Sequence, residues 1–397
     1  MRFLFGPELA PGPGKDLAVL LLVFWLLVPA SLFGSPKSEL TVKRRATMAY
    51  FGTVTQIVVF ADFSRNEALQ NWENCWTEAK ALLAELETKL SPEIPEGSIG
   101  RFNALDAGGS VIIDNETAEV FRLAREVHEI SGGAFNPAVY LLTDLWGFTP
   151  RFNLPAASRP VMPYDRPGGP GSALPDQRYI RAFTGLADFS RCVLTGEGGR
   201  FVLSKTGPDE LVDGRRYSLK IDFGAVGKGY AAEKLAALLY RYGYRYGLVN
   251  IGSSSFRLLD RYAKEDESPV ADAFGADLWP VNVRSPFDQS ETYLTAYGKN
   301  EGISTSGNYE RFYTINNRRY SHIINGKTGA PSEGEIISAT VIGGDAARND
   351  ALTTAFCVMS AEEGRRFMEE HLQDHQVILI LADGSLISNT TRYRRNP

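Results

Sequence analysis

The sequence predicts an α+β protein in which mixed or antiparallel sheets pack against helices. Three observations favour this class. Apolar residues recur at helical spacing in residues 67–90, apolar and polar residues alternate in residues 217–223, and the segments do not follow strict strand–helix–strand alternation. The 397 residues can bury one large core or two packed lobes, and the 44% hydrophobic and 22% charged content is that of an ordinary folded protein.

Charge and cysteine content exclude several classes of protein. The net charge of −5 and the lack of a dense Lys/Arg run argue against a nucleic-acid-binding surface. The three cysteines are too few and too scattered for a disulfide framework or a zinc site. Cys75 and Cys357 lie among apolar residues in helical patterns, so we expect small buried hydrophobic side chains there.

The N-terminal part contains an almost uncharged apolar run, residues 17–34, preceded by Arg2 and Lys15. Its length fits a marginal membrane span or the core of a secretory signal. We therefore expect residues 1–40 to be a signal peptide or membrane anchor. The globular part, residues 45–397, is expected on the extracytoplasmic (periplasmic) side of the membrane.

The globular part is predicted to begin with a strand at residues 52–63, followed by the helix of residues 67–90 and a helix at residues 116–131. Residues 150–175 contain seven prolines, which is typical of a long surface loop or insertion. The remaining predicted elements follow in this order: a strand at 217–223, a helix at 230–242, a hairpin at 311–324 that turns at Asn316-Asn317, a strand at 336–342, a helix that carries Asp350, a helix from Ser360 whose capping box Glu363 completes, and two strands that flank a turn at Asp383-Gly384.

A glycine-rich segment, Gly224-Ala-Val-Gly-Lys-Gly229, follows the strand of residues 217–223. Glycines at a strand-to-helix turn let backbone N–H groups approach a phosphate, and a helix N-terminus adds partial positive charge. The segment is not a P-loop, because Gly229 follows Lys228 where a Ser or Thr would bind the metal. Two interpretations remain open: a phosphate site with Lys228, or a glycine-rich turn with a solvated lysine.

Asp350 and Thr354 lie one helical turn apart, so both side chains can point at the same place. Carboxylate and hydroxyl oxygens suit Mg²⁺, which is usually held by one or two protein carboxylates plus substrate phosphates. Together with the glycine-rich segment they predict a site for a magnesium-bound phosphate ester. The alternative is that Asp350 caps a helix after Gly343-Gly344 and that Thr354 is a packed helix residue.

Two further polar positions are candidates for the site. His322 lies at the end of a strand before a turn, where it acts as a general base or is only hydrogen-bonded in place. Ser306 belongs to the polar turn Ser304-Thr-Ser-Gly-Asn308, which either contacts a nucleotide or connects two strands.

The order of these segments resembles that of the FAD:protein FMN transferase family, also called ApbE, over residues 49–388. Eight segments carry the resemblance: Gly100-Arg-Phe-Asn103, Gly133-Ala-Phe-Asn-Pro-Ala138, Leu145-Trp-Gly-Phe148, Asp222-Phe-Gly-Ala-Val-Gly-Lys-Gly-Tyr230, Asn250-Ile-Gly252, Ile303-Ser-Thr-Ser-Gly307, Ser321-His-Ile-Ile324 and Asn349-Asp-Ala-Leu-Thr-Thr-Ala355. The resemblance implies the family's two-lobed, T-fold-like architecture behind an N-terminal membrane segment.

The resemblance also implies a function. Enzymes of this family cleave the pyrophosphate of FAD, join the FMN phosphate to a Ser or Thr hydroxyl of a target protein and release AMP. The implied cofactor is Mg²⁺, the substrate is FAD, and the usual acceptors are exported, membrane-bound electron-transfer subunits. By position, the implied Mg²⁺ ligands are the Ala225 carbonyl, Asp350 and Thr354. The implied base is His322. The implied FAD contacts are Ala134, Phe135, Asn136, Asp222, Lys228, Ser306 and His322.

The chain departs from the family pattern in three motifs. The family usually has Asp after Ala-Phe where this chain has Asn136, and the common His-Ile-Ile-Asp-Pro becomes His322-Ile-Ile-Asn325-Gly326. The usual Asn-x-Gly-Gly-Asp becomes Asn250-Ile-Gly-Ser-Ser254. Two alternatives to a transferase therefore remain: an FAD pyrophosphatase, in which water replaces the acceptor hydroxyl, and a non-catalytic flavin-binding protein, which the changes at 136 and 325 suggest.

Overall fold

A computed structural model describes residues 40–155, 158–261 and 277–396 of the chain. The predicted membrane segment, residues 17–34, lies outside these residues. Within the described ranges, no helix has both the length and the apolar character needed to cross a membrane.

The described residues form an α+β fold with twenty strands and eight α-helices. The strands, in chain order, are β1 Thr41–Tyr50, β2 Thr53–Ala61, β3 Ser110–Ile113, β4 Cys192–Glu197, β5 Arg200–Lys205, β6 Glu210–Val212, β7 Arg215–Tyr217, β8 Tyr246–Ile251, β9 Ser255–Leu258, β10 Trp279–Arg284, β11 Thr292–Gly298, β12 Gly302–Gly307, β13 Phe312–Ile315, β14 Arg318–Ser321, β15 Ile324–Asn325, β16 Ala330–Pro331, β17 Ile336–Ile342, β18 Gln376–Leu381, β19 Leu386–Ser388 and β20 Tyr393–Arg395. The helices are α1 Asn66–Leu90, α2 Ser98–Asn103, α3 Asn115–Ile130, α4 Tyr140–Trp146, α5 Gln177–Leu186, α6 Gly224–Arg241, α7 Ala346–Phe356 and α8 Ala361–His371.

The largest sheet has eight strands in the order β1-β2-β8-β9-β12-β17-β18-β19. Each neighbouring pair of strands is antiparallel, as the α+β prediction requires. Successive residues of a strand point to opposite faces, so β17 contributes to two cores. Val341 packs with Leu83 of α1 and Leu352 of α7 on one face. Ile342 packs on the other face with Leu294 of the small sheet β10-β11-β20.

Most predicted elements are confirmed where local patterns were strong. The apolar stripe of α1 is buried, with Cys75 completely inside it. Burial raises the pKa of the Cys75 thiol to about 12, so this cysteine is an inert core residue. The hairpin β13–β14 turns at Asn316 and Asn317, whose φ angles of 50° and 62° are those of a tight hairpin turn. Ser360 and Glu363 form the predicted capping box of α8.

The first strand was missed by the sequence pattern. β1 begins at Thr41, four residues before the predicted start of the globular part. Among the described residues it pairs with β2 alone, at one end of the eight-stranded sheet. Its consecutive basic residues Lys43, Arg44 and Arg45 break the alternation of apolar side chains, which is common in strands that protect a sheet edge.

The predicted strand at residues 217–223 is wrong beyond Tyr217, although the alternation of burial persists. The N–H and C=O groups of Ile221 both bond the side-chain amide of Asn103, each at 2.8 Å. The next N–H, that of Asp222, donates to the Pro137 carbonyl at 2.9 Å. The segment is extended but has no neighbouring strand in the part of the chain that the structure describes, because side-chain and loop groups satisfy its backbone.

Residues 150–155 and 158–175 of the proline-rich stretch contain little regular structure, and a buried ion network anchors them. Arg151 is 7% exposed, and its guanidinium contacts Asp144 and Asp165, each at 2.6 Å. The Tyr164 hydroxyl donates to Asp144 at 2.6 Å. This network ties the segment to helix α4.

Candidate active site

Helix α6 begins at Gly224 and not at Tyr230, so the glycine-rich segment is its first two turns and not a loop before it. One of its glycines, Gly229, allows a close contact between helices. A Cβ at Gly229 would lie 2.1 Å from the carbonyl oxygen of Ala346 and 2.6 Å from the Cα of Ala347. Only glycine lets α6 approach the start of α7 this closely.

We expect Gly229→Ala to lower the free energy of unfolding by about 3 kcal/mol, because the new methyl group would overlap backbone atoms that have no space to move. Gly227→Ala is the matched control, since its Cβ would lie 3.5 Å from the Phe51 ring, an ordinary contact. Alanine also favours a helix over glycine, so this control should be as stable as the parent or more so. Urea denaturation measures both variants, and equal midpoints for the two would contradict the prediction.

Asp350 lies at this helix contact and is 1% exposed. Its Oδ2 accepts the Gly229 N–H at 3.2 Å and lies 3.5 Å from Lys228 Nζ. An α-helix would pair that same N–H with the carbonyl of Ala225. The Ala225 carbonyl therefore shares the Gly229 N–H with the Asp350 carboxylate. Its oxygen can still accept a hydrogen bond or bind a metal ion.

The alternative that Asp350 caps its helix is wrong. The cap of α7 is Asp345, whose Oδ1 accepts the N–H groups of Ala347 at 2.6 Å and Arg348 at 3.3 Å. Asp350 lies within the helix, so its buried carboxylate is free of this local role.

Thr354 and Ser306 place hydroxyl oxygens next to Asp350. Thr354 Oγ1 is 3.3 Å from the Asp350 carbonyl and 3.5 Å from Ser306 Oγ on strand β12. Ser306 also contacts Thr353 at 2.9 Å, which fixes its position against α7. The described residues contain no group of three or more His, Cys, Asp or Glu side chains that suits a metal ion. One carboxylate with neutral oxygens is the donor set that Mg²⁺ takes when substrate phosphates and water complete its shell.

Lys228 and Asp222 lie at the N-terminus of α6, where Lys228 is next to Asp350. Lys228 Nζ donates to the Gly224 carbonyl at 3.1 Å, which turns the ammonium back over the start of the helix. Asp222 Oδ1 accepts the Gly224 N–H at 2.8 Å. Burial raises the pKa of Asp222, while that N–H group and the charges of Arg311 and Lys228 oppose the rise.

His322 lies after strand β14 and is half-buried. Its Nδ1 is 3.2 Å from the carbonyl oxygen of Arg311, and a carbonyl only accepts, so Nδ1 carries the proton. Nε2 is then the unprotonated nitrogen, as a general base requires. Burial lowers the pKa of His322 to about 3, and the positive charges of Arg311 and Lys228 act in the same direction.

The Trp146–Phe148 segment supports the hairpin that carries His322. Trp146 stacks on Tyr320 with 5.3 Å between ring centroids, and its Nε1 donates to the Gly329 carbonyl at 2.9 Å. Phe148 stacks on Tyr313 at 4.8 Å and packs edge-to-face with the imidazole of His322, with 6.3 Å between ring centroids. These contacts hold both strands of the hairpin against α4.

Known proteins of one family resemble this chain over most of its length. The model of the ApbE family matches residues 51–379. This chain belongs to the ApbE family. The FAD:protein FMN transferase of Klebsiella pneumoniae (strain 342) is 27% identical over 351 residues, which cover 88% of this chain and 87% of that protein. The FAD:protein FMN transferase of Treponema pallidum (strain Nichols) is 26% identical over 321 residues, which cover 80% of this chain and 79% of that protein.

Solved ApbE structures share the fold. The flavin transferase ApbE from Vibrio cholerae is similar with a TM-score of 0.66 and 23% identity, covering 88% of this chain and 97% of that chain. The apo form of the Pseudomonas stutzeri flavinyl transferase ApbE gives a TM-score of 0.68 at 23% identity, covering 89% and 96%. The family assignment and the α+β fold predicted from the sequence are confirmed, and the relatives are transferases by name.

The ApbE segment Ala134-Phe-Asn136 is built into the core and not into a free loop. Ala134 and Phe135 are 8% and 2% exposed, and the Phe135 carbonyl is 2.7 Å from Nδ1 of His128. Asn136 Nδ2 donates to the Ala187 carbonyl at 2.8 Å, and Oδ1 accepts the Ala138 N–H at 2.9 Å. The two buried side chains therefore face inward, so any contact of Ala134 or Phe135 with a ligand involves their backbone.

Two departures from the ApbE pattern lie against each other. A Cβ at Gly326 would be only 2.6 Å from Asn136 Nδ2. Because that amide group is held by the Ala187 carbonyl, it has little space to retreat. A glycine at 326 is thus matched to the asparagine at 136, and the segment 134–136 adjoins the loop after His322.

Two residues near the site had no sequence signal. Glu310 and Arg311 precede the hairpin in an ordinary polar stretch, and both are exposed. Although Glu310 reaches solvent, the surrounding protein groups desolvate its carboxyl and raise its pKa; the charges of Lys228, Arg284 and Arg311 oppose this rise, and Asp350 adds to it. We define the charged cluster as Asp222, Lys228, Glu310, Arg311, His322 and Asp350.

Proposed function

We propose that this protein is a Mg²⁺-dependent FAD:protein FMN transferase that attaches FMN through a phosphoester to a Ser or Thr of a target protein and releases AMP. One observation carries the proposal. Residues from α6, α7 and the β13–β14 hairpin bring a buried carboxylate, neutral oxygens, a lysine and a neutral histidine into one cluster. This is the chemistry that transfer of a phosphate ester to a hydroxyl needs.

The base in this reaction is Nε2 of His322. It takes the proton of the acceptor hydroxyl as the hydroxyl oxygen bonds to the phosphorus of the FMN half. The bond from that phosphorus to the bridging oxygen breaks, and AMP leaves with the bridging oxygen. A bound diphosphate is an anion close to His322, so it raises the imidazole pKa from about 3 toward the range where a general base is effective.

The residues that would hold Mg²⁺ are Asp350, Thr354 and the Ala225 carbonyl. The ion would neutralise charge on the diphosphate during transfer. Lys228 adds a positive charge from the same side, next to Asp350. The backbone of residues 134–136, Asp222 and Ser306 are the proposed further contacts of FAD.

A second candidate reaction is hydrolysis of FAD to FMN and AMP. The exposure of Glu310 and Arg311 favours it, because solvent reaches the charged cluster and water can replace the acceptor hydroxyl. The same His322 nitrogen would then take a proton from water.

One assay separates these functions. Full-length protein is incubated with FAD, Mg²⁺ and an exported electron-transfer subunit that offers a Ser or Thr acceptor. Flavin that stays on the acceptor after denaturation, together with AMP, supports the transferase. Free FMN with AMP identifies the hydrolase, and intact bound FAD identifies a flavin-binding protein. An acceptor with its Ser or Thr changed to Ala controls for adsorbed flavin.

We further propose that residues 17–34 export the protein or anchor it, so that transfer occurs on the extracytoplasmic side, where membrane-bound electron-transfer acceptors lie. The apolar character of this run supports the proposal. Cell fractionation with N-terminal sequencing of the mature protein tests it. Recovery of the intact chain from the cytoplasm, without membrane association, would overturn it.

A further inference from the structure

Arg311 is a cation of the charged cluster whose guanidinium forms no salt bridge with a carboxylate among the described residues. Its guanidinium makes one hydrogen bond there, from Nη1 to the carbonyl of Phe148 at 3.2 Å. The other N–H groups of this exposed side chain have no acceptor in the part of the chain that the structure describes. By contrast, Arg318 of the same hairpin contacts the carboxylate of Glu333.

The position of Arg311 is set by rigid neighbours. Its backbone carbonyl accepts both the N–H of His322 at 3.0 Å and Nδ1–H at 3.2 Å. Phe148, whose carbonyl accepts from the guanidinium, is 6% exposed and stacked on Tyr313. The backbone of Arg311 and one end of its guanidinium are therefore held in place next to His322. This reduces the conformational entropy that the side chain loses when it binds a ligand.

The charge of Arg311 acts on the same groups as that of Lys228. Both cations oppose the rise in the pKa of Asp222, and both lower the pKa of His322. Lys228, however, already lies 3.5 Å from Asp350 and donates to Gly224. A diphosphate carries more negative charge than Lys228 alone can neutralise while it also contacts Asp350. The planar guanidinium of an arginine can bind two phosphate oxygens at once.

We propose that Arg311 binds the diphosphate of FAD as a second cation beside Lys228. The proposal rests on the proposed use of FAD and adds a specificity-determining residue to it. Arg311 then distinguishes FAD from flavins that lack the diphosphate, and it holds the reacting phosphorus near Nε2 of His322.

The test measures binding without turnover. Full-length protein in EDTA is titrated with FAD and with riboflavin, and quenching of flavin fluorescence gives each Kd. Arg311→Met should weaken FAD binding about tenfold or more, because a charge-assisted contact is lost, and should change riboflavin binding by less than about twofold. Arg311→Lys should retain part of the affinity for FAD.

The matched control is Arg319→Met in the same hairpin. Arg319 is exposed and lies over the ring of Phe312 at 4.6 Å, so its removal deletes one charge without touching the cluster. Its FAD affinity should equal that of the parent. An unchanged FAD affinity in Arg311→Met, or an equal loss of FAD and riboflavin binding, would overturn the proposal. Since no turnover is involved, this result is independent of whether an acceptor is flavinylated.

Discussion

Asp350→Ala should abolish nearly all turnover and most affinity for Mg²⁺. Asp350 is the only full negative charge among the proposed metal donors, and a divalent ion loses most of its electrostatic attraction without it. Thr354→Ala should have a smaller effect, because a water molecule can replace a hydroxyl ligand. Initial rates across a Mg²⁺ titration separate a loss of metal affinity from a loss of maximal rate.

Asp345→Ala is the control for a purely structural effect on helix α7. Asp345 caps the helix, so this change should lower the free energy of unfolding by about 1 kcal/mol and leave the Mg²⁺ dependence unchanged. Asp350→Ala with parent-like activity at low Mg²⁺ would show that the metal donors are assigned to the wrong residues.

His322→Ala should slow flavin transfer by about a hundredfold or more while FAD and Mg²⁺ binding stay nearly unchanged, since its role is to move a proton. His322→Asn is the sharper variant. Its amide can still donate to the Arg311 carbonyl, as Nδ1 does now, but it offers no base in place of Nε2. If His322→Asn transfers flavin at the parent rate, His322 only supports the loop.

The pH dependence of kcat/KM gives an independent check on His322, because this ratio reports groups of the free enzyme. Burial lowers the pKa of His322 to about 3, so the imidazole is already unprotonated throughout the neutral range. Protonation of His322 should therefore cause no loss of kcat/KM near the ordinary histidine pKa of about 6.5. An acid limb at that pH that disappears in His322→Asn would contradict the pKa shift.

The elements that local patterns predicted well depend on neighbours in the chain. Residues three or four positions apart determine an apolar helical stripe or a capping box. The sequence therefore predicts helix α1, the cap at Ser360 and the spacing of Asp350 and Thr354 on one helix. The eight ordered segments were enough to identify the ApbE family, which the match over residues 51–379 confirms.

The sequence-based predictions are wrong where a group distant in the chain takes the place of a neighbouring strand or side chain. Residues 218–223 alternate like a strand, but the amide of Asn103 occupies the place of a neighbouring strand at Ile221. The glycines before Tyr230 suggested a loop, yet they form the start of α6, and Gly229 is required there because the backbone of α7 at Ala346 leaves no space for a side chain. Neither partner lies near its target in the chain, so no local period contains this information.

The sequence by itself determined the family, the main helices and hairpin, and the residue types needed for phosphate transfer. Tertiary structure alone decided which of them meet. It placed Lys228 beside Asp350, set Gly326 against Asn136, and brought the unremarkable Arg311 next to His322. The physical reason is that charge and close packing act through space over a few ångströms, whatever the separation along the chain.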